Sequence, residues 1–441
     1  MAGCSVEPGT RVLVERDDGL RVEGVVMPRY ALADREVLVV KLDNGYNIGI
    51  RCDRVRRLEK LEAARPRGPA GVPAPLAEGP LGRPGKRVMV IGTGGTIASR
   101  IDYETGAVRP YIDADELVQA IPEAAAIAEI SAEEIMQVFS ENMEPKLWER
   151  IVSEVERRLN KGYDGIVIAH GTDTMGYTAA ALSFAFHRGL PAPVVLVGAQ
   201  RSSDRPSSDA AFNFTAAVLT AVEAPFGEVA VVMHGTLSDT YALAHRGTRV
   251  RKMHTSRRDA FQSINTVPLA KVWPYERRIQ MLRDDYRPRS SGRVEAENGF
   301  EERVALVKYY PGMRSDIIEY LVSAGYRGIV IEGTGFGHVA ERLIPSIKRA
   351  VDSGVAVVAA SQTVFGRVNL NVYATGRKML AAGVIPADDM LAETAYVKLS
   401  WALARARSLE EVRRIMLSNL AGEIGERQSI RYYPKWFHGE E

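Results

Sequence analysis

From Lys86 onward, apolar runs of one buried strand's length alternate with segments of helical length, and this alternation constrains the fold more than any other feature. The strand-like runs are 87–92, 165–170, 193–198 and 229–234; the helical segments are 144–160, 175–188 and 208–222. Runs that are apolar at nearly every position need both faces covered, which predicts stacked βαβ units around a largely parallel sheet. A charged, weakly patterned stretch at 275–302 interrupts the series, and a second set follows at 304–310, 328–332 and 355–361. The expectation is a large α/β domain over 86–275, a linker over 276–302 and a smaller C-terminal α/β domain over 303–441. Within the last, the apolar run 390–403 reads equally as core or as interface.

The first 60 residues follow a different period. Short runs at 11–15, 21–27, 36–42 and 46–50 carry β-branched residues with partial alternation, divided by Asp18-Gly19 and Asp43-Asn44-Gly45. Such dipeptides mark hairpins, and four or five strands of this kind predict a small β-barrel. Residues 61–85 then hold six prolines and five glycines in 25 positions, a composition that cannot pack and reads as a tether. The boundary is sharp. Seven basic residues against three acids in 51–67 could touch phosphates, although a solvated barrel edge explains them as well.

The formal net charge of +2 gives no global field for nucleic acid, and Cys4 and Cys52 are too few for a disulfide framework or a cysteine metal site. No run of 18 apolar residues occurs and the start lacks a leader-like apolar core, so a cytoplasmic protein with no membrane contact is expected.

Three stretches carry chemistry. In 88-VMVIGTGGTIASR-100 a strand runs into glycines holding Thr93 and Thr96. The Walker pattern fails because no Gly-Lys-Ser/Thr ends it, and the dinucleotide fingerprint fails because Ile97 stands at the third glycine. The residues leave open a structural turn, nucleotide binding or hydroxyl chemistry. In 165-GIVIAHGTDTMGYTAAALSF-184, Thr172 and Asp173 fall at a strand's carboxyl end, either capping the next helix or facing a ligand. His170, and a second His-Gly-Thr at 234–236, read as strand-end packing. The third stretch, 249-RVRKMHTSRRDAF-261, is a solvated basic loop unless a lysine meets Thr172 and Asp173, where it would activate a weak hydroxyl nucleophile.

Together, Thr93-Gly94-Gly95-Thr96-Ile97-Ala98 and Gly171-Thr172-Asp173-Thr174 resemble the paired signatures of the bacterial-type L-asparaginase and glutaminase family. The likeness runs from about Lys86 into the C-terminal domain, through 197-VGAQRSSDRPSSDAAFN-213 and Lys252, nine residues before Phe261. It implies an asparaginase-like two-domain α/β body and an amidohydrolase. Thr93 would be the nucleophile, Thr172, Asp173 and Lys252 a second hydroxyl–acid–lysine set, and Tyr103 a lid residue. Ser140, Glu141 and His338 would bind substrate. Glu141 stands where a plain asparaginase commonly has glutamine, and His338 where an asparagine reaches across from a neighbouring subunit. The β-rich module, the tether and the stretch 251–258 resemble more closely the branch that serves archaeal glutamyl-tRNA(Gln) amidotransferases. That branch implies ammonia release from glutamine or asparagine for a partner E subunit, which would carry ATP and Mg, with no cofactor in this chain. It also implies a homodimer within a heterotetramer that meets tRNA through the complex. The rival readings are a free-standing L-asparaginase and an inactive RNA-binding scaffold.

Overall fold

The computed structural model describes residues 6–27, 37–42, 47–61, 85–94, 99–101, 108–110, 121–201, 208–429 and 432–433. The first five strands, β1 (Arg11–Arg16), β2 (Arg21–Val26), β3 (Val37–Leu42), β4 (Asn47–Arg51) and β5 (Val55–Lys60), make one antiparallel sheet in the order β4-β3-β2-β1-β5. Alternate positions point inward, so Val12, Val14, Val22, Leu38, Val40 and Ile50 form its core. Asp18-Gly19 makes the expected β1–β2 turn with Gly19 at φ +82°. β5 lies inside the basic run, three of whose cations meet carboxylates: Arg51 pairs with Asp53, Arg54 with Asp17, and Arg57 with Glu59. The Pro/Gly-rich residues 62–84 fall outside the described residues.

The large sheet is built from β6 (Arg87–Gly92), β9 (Glu129–Glu134), β10 (Gly165–Ala169), β11 (Val194–Val197), β12 (Val229–His234), β13 (Ala242–Arg246), β16 (Ala270–Trp273) and β17 (Arg278–Met281). A separate short pair, β7 (Ser99–Ile101) and β8 (Val108–Pro110), and the hairpin β14 (Val250–Lys252) with β15 (Phe261–Ser263) stand beside it. The order is β17-β16-β13-β12-β11-β10-β6-β9, parallel from β12 to β9 and antiparallel beyond. Part of the stretch expected as a linker, 276–302, therefore belongs to this sheet. Arg278–Met281 alternates exposed and half-buried residues on a sheet edge, a pattern too short and polar to stand out in sequence.

From β6 the chain steps outward to β9, then back past β6 to β10, β11 and β12. The direction reverses between β6 and β10, and such a switch point opens a crevice at the carboxyl ends of the two strands. Helices Pro145–Leu159 and Met175–Ala185 cover one face, packing on Ile91, Ile166, Ile168 and Leu196. Helix Ala210–Glu223 covers the other face, packing on Val90, Val167, Val195 and Val232. The β11-to-β12 connection steps the same way along the sheet as β10-to-β11 but crosses the opposite face, so the two have opposite hands, against the strong preference for one hand.

The smaller sheet, β18 (Val304–Lys308), β19 (Gly328–Gly333), β20 (Ala356–Ser361) and β21 (Ile385–Pro386), is parallel throughout. Helix Ala392–Leu403, buried on nearly every side, lies between this sheet and helix Met175–Ala185. Tyr177 meets Tyr396 and Phe184 meets Trp401, each with ring centroids 6.1 Å apart. Within this chain the apolar run 390–403 is core, shared by the two domains.

Candidate active site

Both chemistry-bearing threonines stand at the switch point. Gly92 pairs with Ala169 across β6 and β10, so Thr93 emerges level with His170. Thr93 is buried, and its N–H and its hydroxyl both donate to the Ala169 carbonyl, at 3.0 and 2.9 Å. The following Gly94 has φ +98°, and a Cβ there would lie 2.6 Å from the Val138 carbonyl oxygen, so only glycine fits. Thr96 and Tyr103 lie outside the described residues.

Two residues beyond the histidine at the end of β10, the buried Thr172 faces Lys252. The lysine Nζ donates to Thr172 Oγ1 at 2.9 Å and to Asp173 Oδ1 at 2.7 Å. These groups are some 80 residues apart in the chain. β14 brings Lys252 there because it pairs with β15, with Lys252 opposite Phe261, a fully buried anchor. The Lys252 side chain is 13% exposed and that of Asp173 68%, so the carboxylate is open to water while the lysine is largely covered. Such a lysine can stabilise negative charge on the threonine oxygen or, once neutral, take its proton.

Ser140 is buried against Gly171, where an added Cβ would come within 2.7 Å of Ser140 Cβ. The Thr174 hydroxyl donates to the Ser140 carbonyl at 2.7 Å and fixes that turn. Glu141, next in the same short helix Ser140–Asn142, is exposed. His338 sits in the small domain, in a turn closed by reciprocal hydrogen bonds with Thr334, its ring 5.3 Å from that of Tyr373. The structure thus gathers Thr93, Ser140, Thr172, Asp173 and Lys252. Among the described residues, no hydrogen bond or ring contact joins His338 to them within this chain.

The basic stretch is not a free patch. Arg249 pairs with Asp389, Arg251 with Glu393, Arg257 with Asp259 and Arg258 with Asp239. Two of these partners lie in the small domain, whose Thr394 hydroxyl also donates to the Thr248 carbonyl at 3.0 Å. Sequence reasoning missed Asp389, Thr394 and Glu393 as supports of the Lys252 strand; nothing in their spacing signals it. It missed Asp209 as well, which accepts from the Gln200 and Arg201 N–H groups at 3.0 Å and shapes the loop after β11.

The sequence matches the family model of the asparaginase N-terminal domain over residues 87–287, that of the glutaminase/asparaginase C-terminal domain over 303–416, and that of the GatD N-terminal domain over 6–61. It is 60% identical over 420 residues to the D subunit of the glutamyl-tRNA(Gln) amidotransferase from Aeropyrum pernix, covering 95% of this chain and 98% of that one. The corresponding D subunit from Pyrococcus abyssi is 59% identical, with 93% of each chain covered. Among solved structures, the thermostable L-asparaginase of Thermococcus kodakarensis superposes with TM-score 0.69 at 34% identity, over 77% of this chain and all of that one. The L-asparaginase I of Vibrio cholerae gives 0.67 at 29% identity, over 77% and 99%. The chain belongs to the asparaginase family, in the branch formed by the D subunits of the glutamyl-tRNA(Gln) amidotransferases.

Proposed function

We propose that this chain hydrolyses the side-chain carboxamide of glutamine or asparagine and that the released ammonia serves a partner E subunit, which converts Glu-tRNA(Gln) to Gln-tRNA(Gln) with its own ATP and Mg. One observation carries the reading: Lys252 Nζ within hydrogen-bond reach of both Thr172 Oγ1 and Asp173 Oδ1, beside Thr93 at a topological switch point. A carboxamide is a poor electrophile with a poor leaving group, so the site must activate a hydroxyl and protonate nitrogen. Thr93 attacks the carbon, the C–N bond breaks as nitrogen takes a proton, and water then hydrolyses the acyl-threonine. The Thr172–Lys252 pair passes protons between these steps. Asp173, open to water, receives the substrate's α-ammonium while Lys252 holds its other side. Ser140 and Glu141 contact the bound amino acid, Tyr103 closes over it, and His338 comes from a neighbouring copy in a homodimer within the heterotetramer. The N-terminal sheet closes as a small barrel and serves the complex rather than the hydrolysis.

A second reading, a free-standing L-asparaginase, takes support from the similarity of the body to such enzymes. It leaves residues 6–61 without a use. The deciding experiment is amide hydrolysis by the pure chain, alone and with the E subunit and glutamyl-tRNA(Gln). Turnover that is weak alone and rises with both is the expected result; strong turnover that neither changes favours the simple enzyme.

A further inference from the structure

Two strand ends carry the same tripeptide, 170-HGT-172 and 234-HGT-236, and both histidines are fully buried. Their partners differ in a way that fixes their charge. His170 Nδ1 lies 2.6 Å from the Gly171 carbonyl oxygen, and its Nε2 2.9 Å from Thr178 Oγ1. A carbonyl only accepts and a hydroxyl can donate, so a neutral ring protonated on Nδ1 satisfies both. His234 Nδ1 instead lies 2.6 Å from Asn213 Oδ1, and its Nε2 2.9 Å from Asp239 Oδ1. The asparagine amide cannot be turned round, because its nitrogen donates to Asp209 Oδ2 at 3.0 Å and to the Gly198 carbonyl at 3.1 Å. The same Asp239 oxygen also accepts from Arg258 at 2.9 Å, so it presents an acceptor to the ring. Both ring nitrogens therefore face acceptors, and only an imidazolium donates to both.

We propose that His234 is a positioning residue for Thr172, held doubly protonated so that one ring ties the loop after β11 to the loop that follows Lys252. On one side the tie runs through Asn213 to Gly198, whose backbone passes so close to Thr172 that a Cβ there would lie 2.8 Å from the threonine methyl. On the other it runs through Asp239 to Arg258, six residues after Lys252. The β11-to-β12 crossover places Asn213 on the face where it can reach both strand ends. The groups facing the ring are Asp239 from its own loop, Asp209 and Phe212 at the start of helix Ala210–Glu223, and Arg258, with Tyr275 behind Phe212. Burial holds the ring's pKa below its ordinary value, with Arg258 adding to that and Asp239 and Asp209 opposing it, a direction that runs against the double protonation the contacts call for. The hydrogen bonds decide the balance, since a neutral ring would set two lone pairs against each other at one of these contacts. As pH rises through the ring's pKa, one donor is lost and the tie loosens.

The proposal rests on the amidohydrolase reading, and its test separates the two. In the full-length chain with labelled histidines, ring-nitrogen NMR, assigned by the signal missing in His234→Gln, is expected to show His234 protonated on both nitrogens at pH 7 and His170 on Nδ1 alone. A neutral His234 overturns the proposal whether or not the protein hydrolyses any amide. His234→Leu is expected to lower kcat for glutamine hydrolysis about 10²-fold with KM little changed. Asp239→Asn offers Nε2 a donor, so a neutral ring suffices, and the alkaline fall of kcat in the parent chain is expected to vanish. An unchanged kcat in folded His234→Leu, or the same alkaline fall in Asp239→Asn, would sink it.

Discussion

At Thr172 the partner that reaches the hydroxyl is an ammonium, 2.9 Å away, and not the neighbouring carboxylate. Replacing Lys252 with Met keeps the aliphatic stem and removes the charge. Amide hydrolysis should fall at least about 10²-fold, while stability, measured by urea unfolding, should change by no more than about 1 kcal/mol because Asp173 is exposed. Gly94→Ala acts on the backbone instead: a Cβ at φ +98° against the Val138 carbonyl should cost about 1–3 kcal/mol, read as a lowered Tm. His170 sets a pH dependence. Burial holds its pKa at about 4 against 6.5 when unfolded, so between those values the unfolded chain binds the extra proton. Its share of the stability must therefore fall as the pH is lowered, by about 2 kcal/mol from pH 7 to pH 5, and His170→Gln should remove that share of the slope in urea titrations, leaving the share of His245, whose pKa burial also lowers. At this scale Thr93, Thr172, Asp173 and Lys252 were nameable from residue type and resemblance. That the lysine touches both partners was not, because β14 and β15 are three residues each, too short to signal their pairing.

The element that decides most is helix Ala392–Leu403, which serves two sheets at once. Its Lys398 is wholly buried with Glu423, 2.6 Å apart, and the lysine also donates to the Met416 carbonyl at 3.0 Å. Glu423 accepts from the Leu420 N–H at 3.0 Å and from that of Ala421 at 2.6 Å. The segment so pinned lends the Ala421 and Gly422 carbonyls to Thr248 and Arg249, just ahead of Lys252. Glu423→Ala leaves a buried cation unpaired and should cost roughly 3–5 kcal/mol, measurable as lost unfolding free energy. A compensating Lys398→Met should recover only part, since two N–H groups would still lack their acceptor. The helix itself was legible as an apolar run; its double role was not, because burial on all sides looks the same whichever neighbour provides it. The edge strand Arg278–Met281 was hidden for the opposite reason: half its residues face water.

For the whole molecule, the α/β body pairs its two sheets through that helix and has its own cores, separate from that of the N-terminal sheet. A fragment of residues 86–441 should fold with nearly the parent Tm and hydrolyse glutamine at a comparable kcat. A fragment that is unfolded by circular dichroism would show that the first 85 residues contribute to the body's stability. The sequence alone determined the alternation of strands and helices and the change of period after the first 60 residues, because periodicity and glycine placement are local properties. Only the tertiary structure decided that the strand order reverses between β6 and β10, that four positions from three separate strand ends share one crevice, and that two identical tripeptides set their histidines against different partners. Those outcomes depend on which distant atoms donate and which accept, and no stretch of chain carries that information by itself.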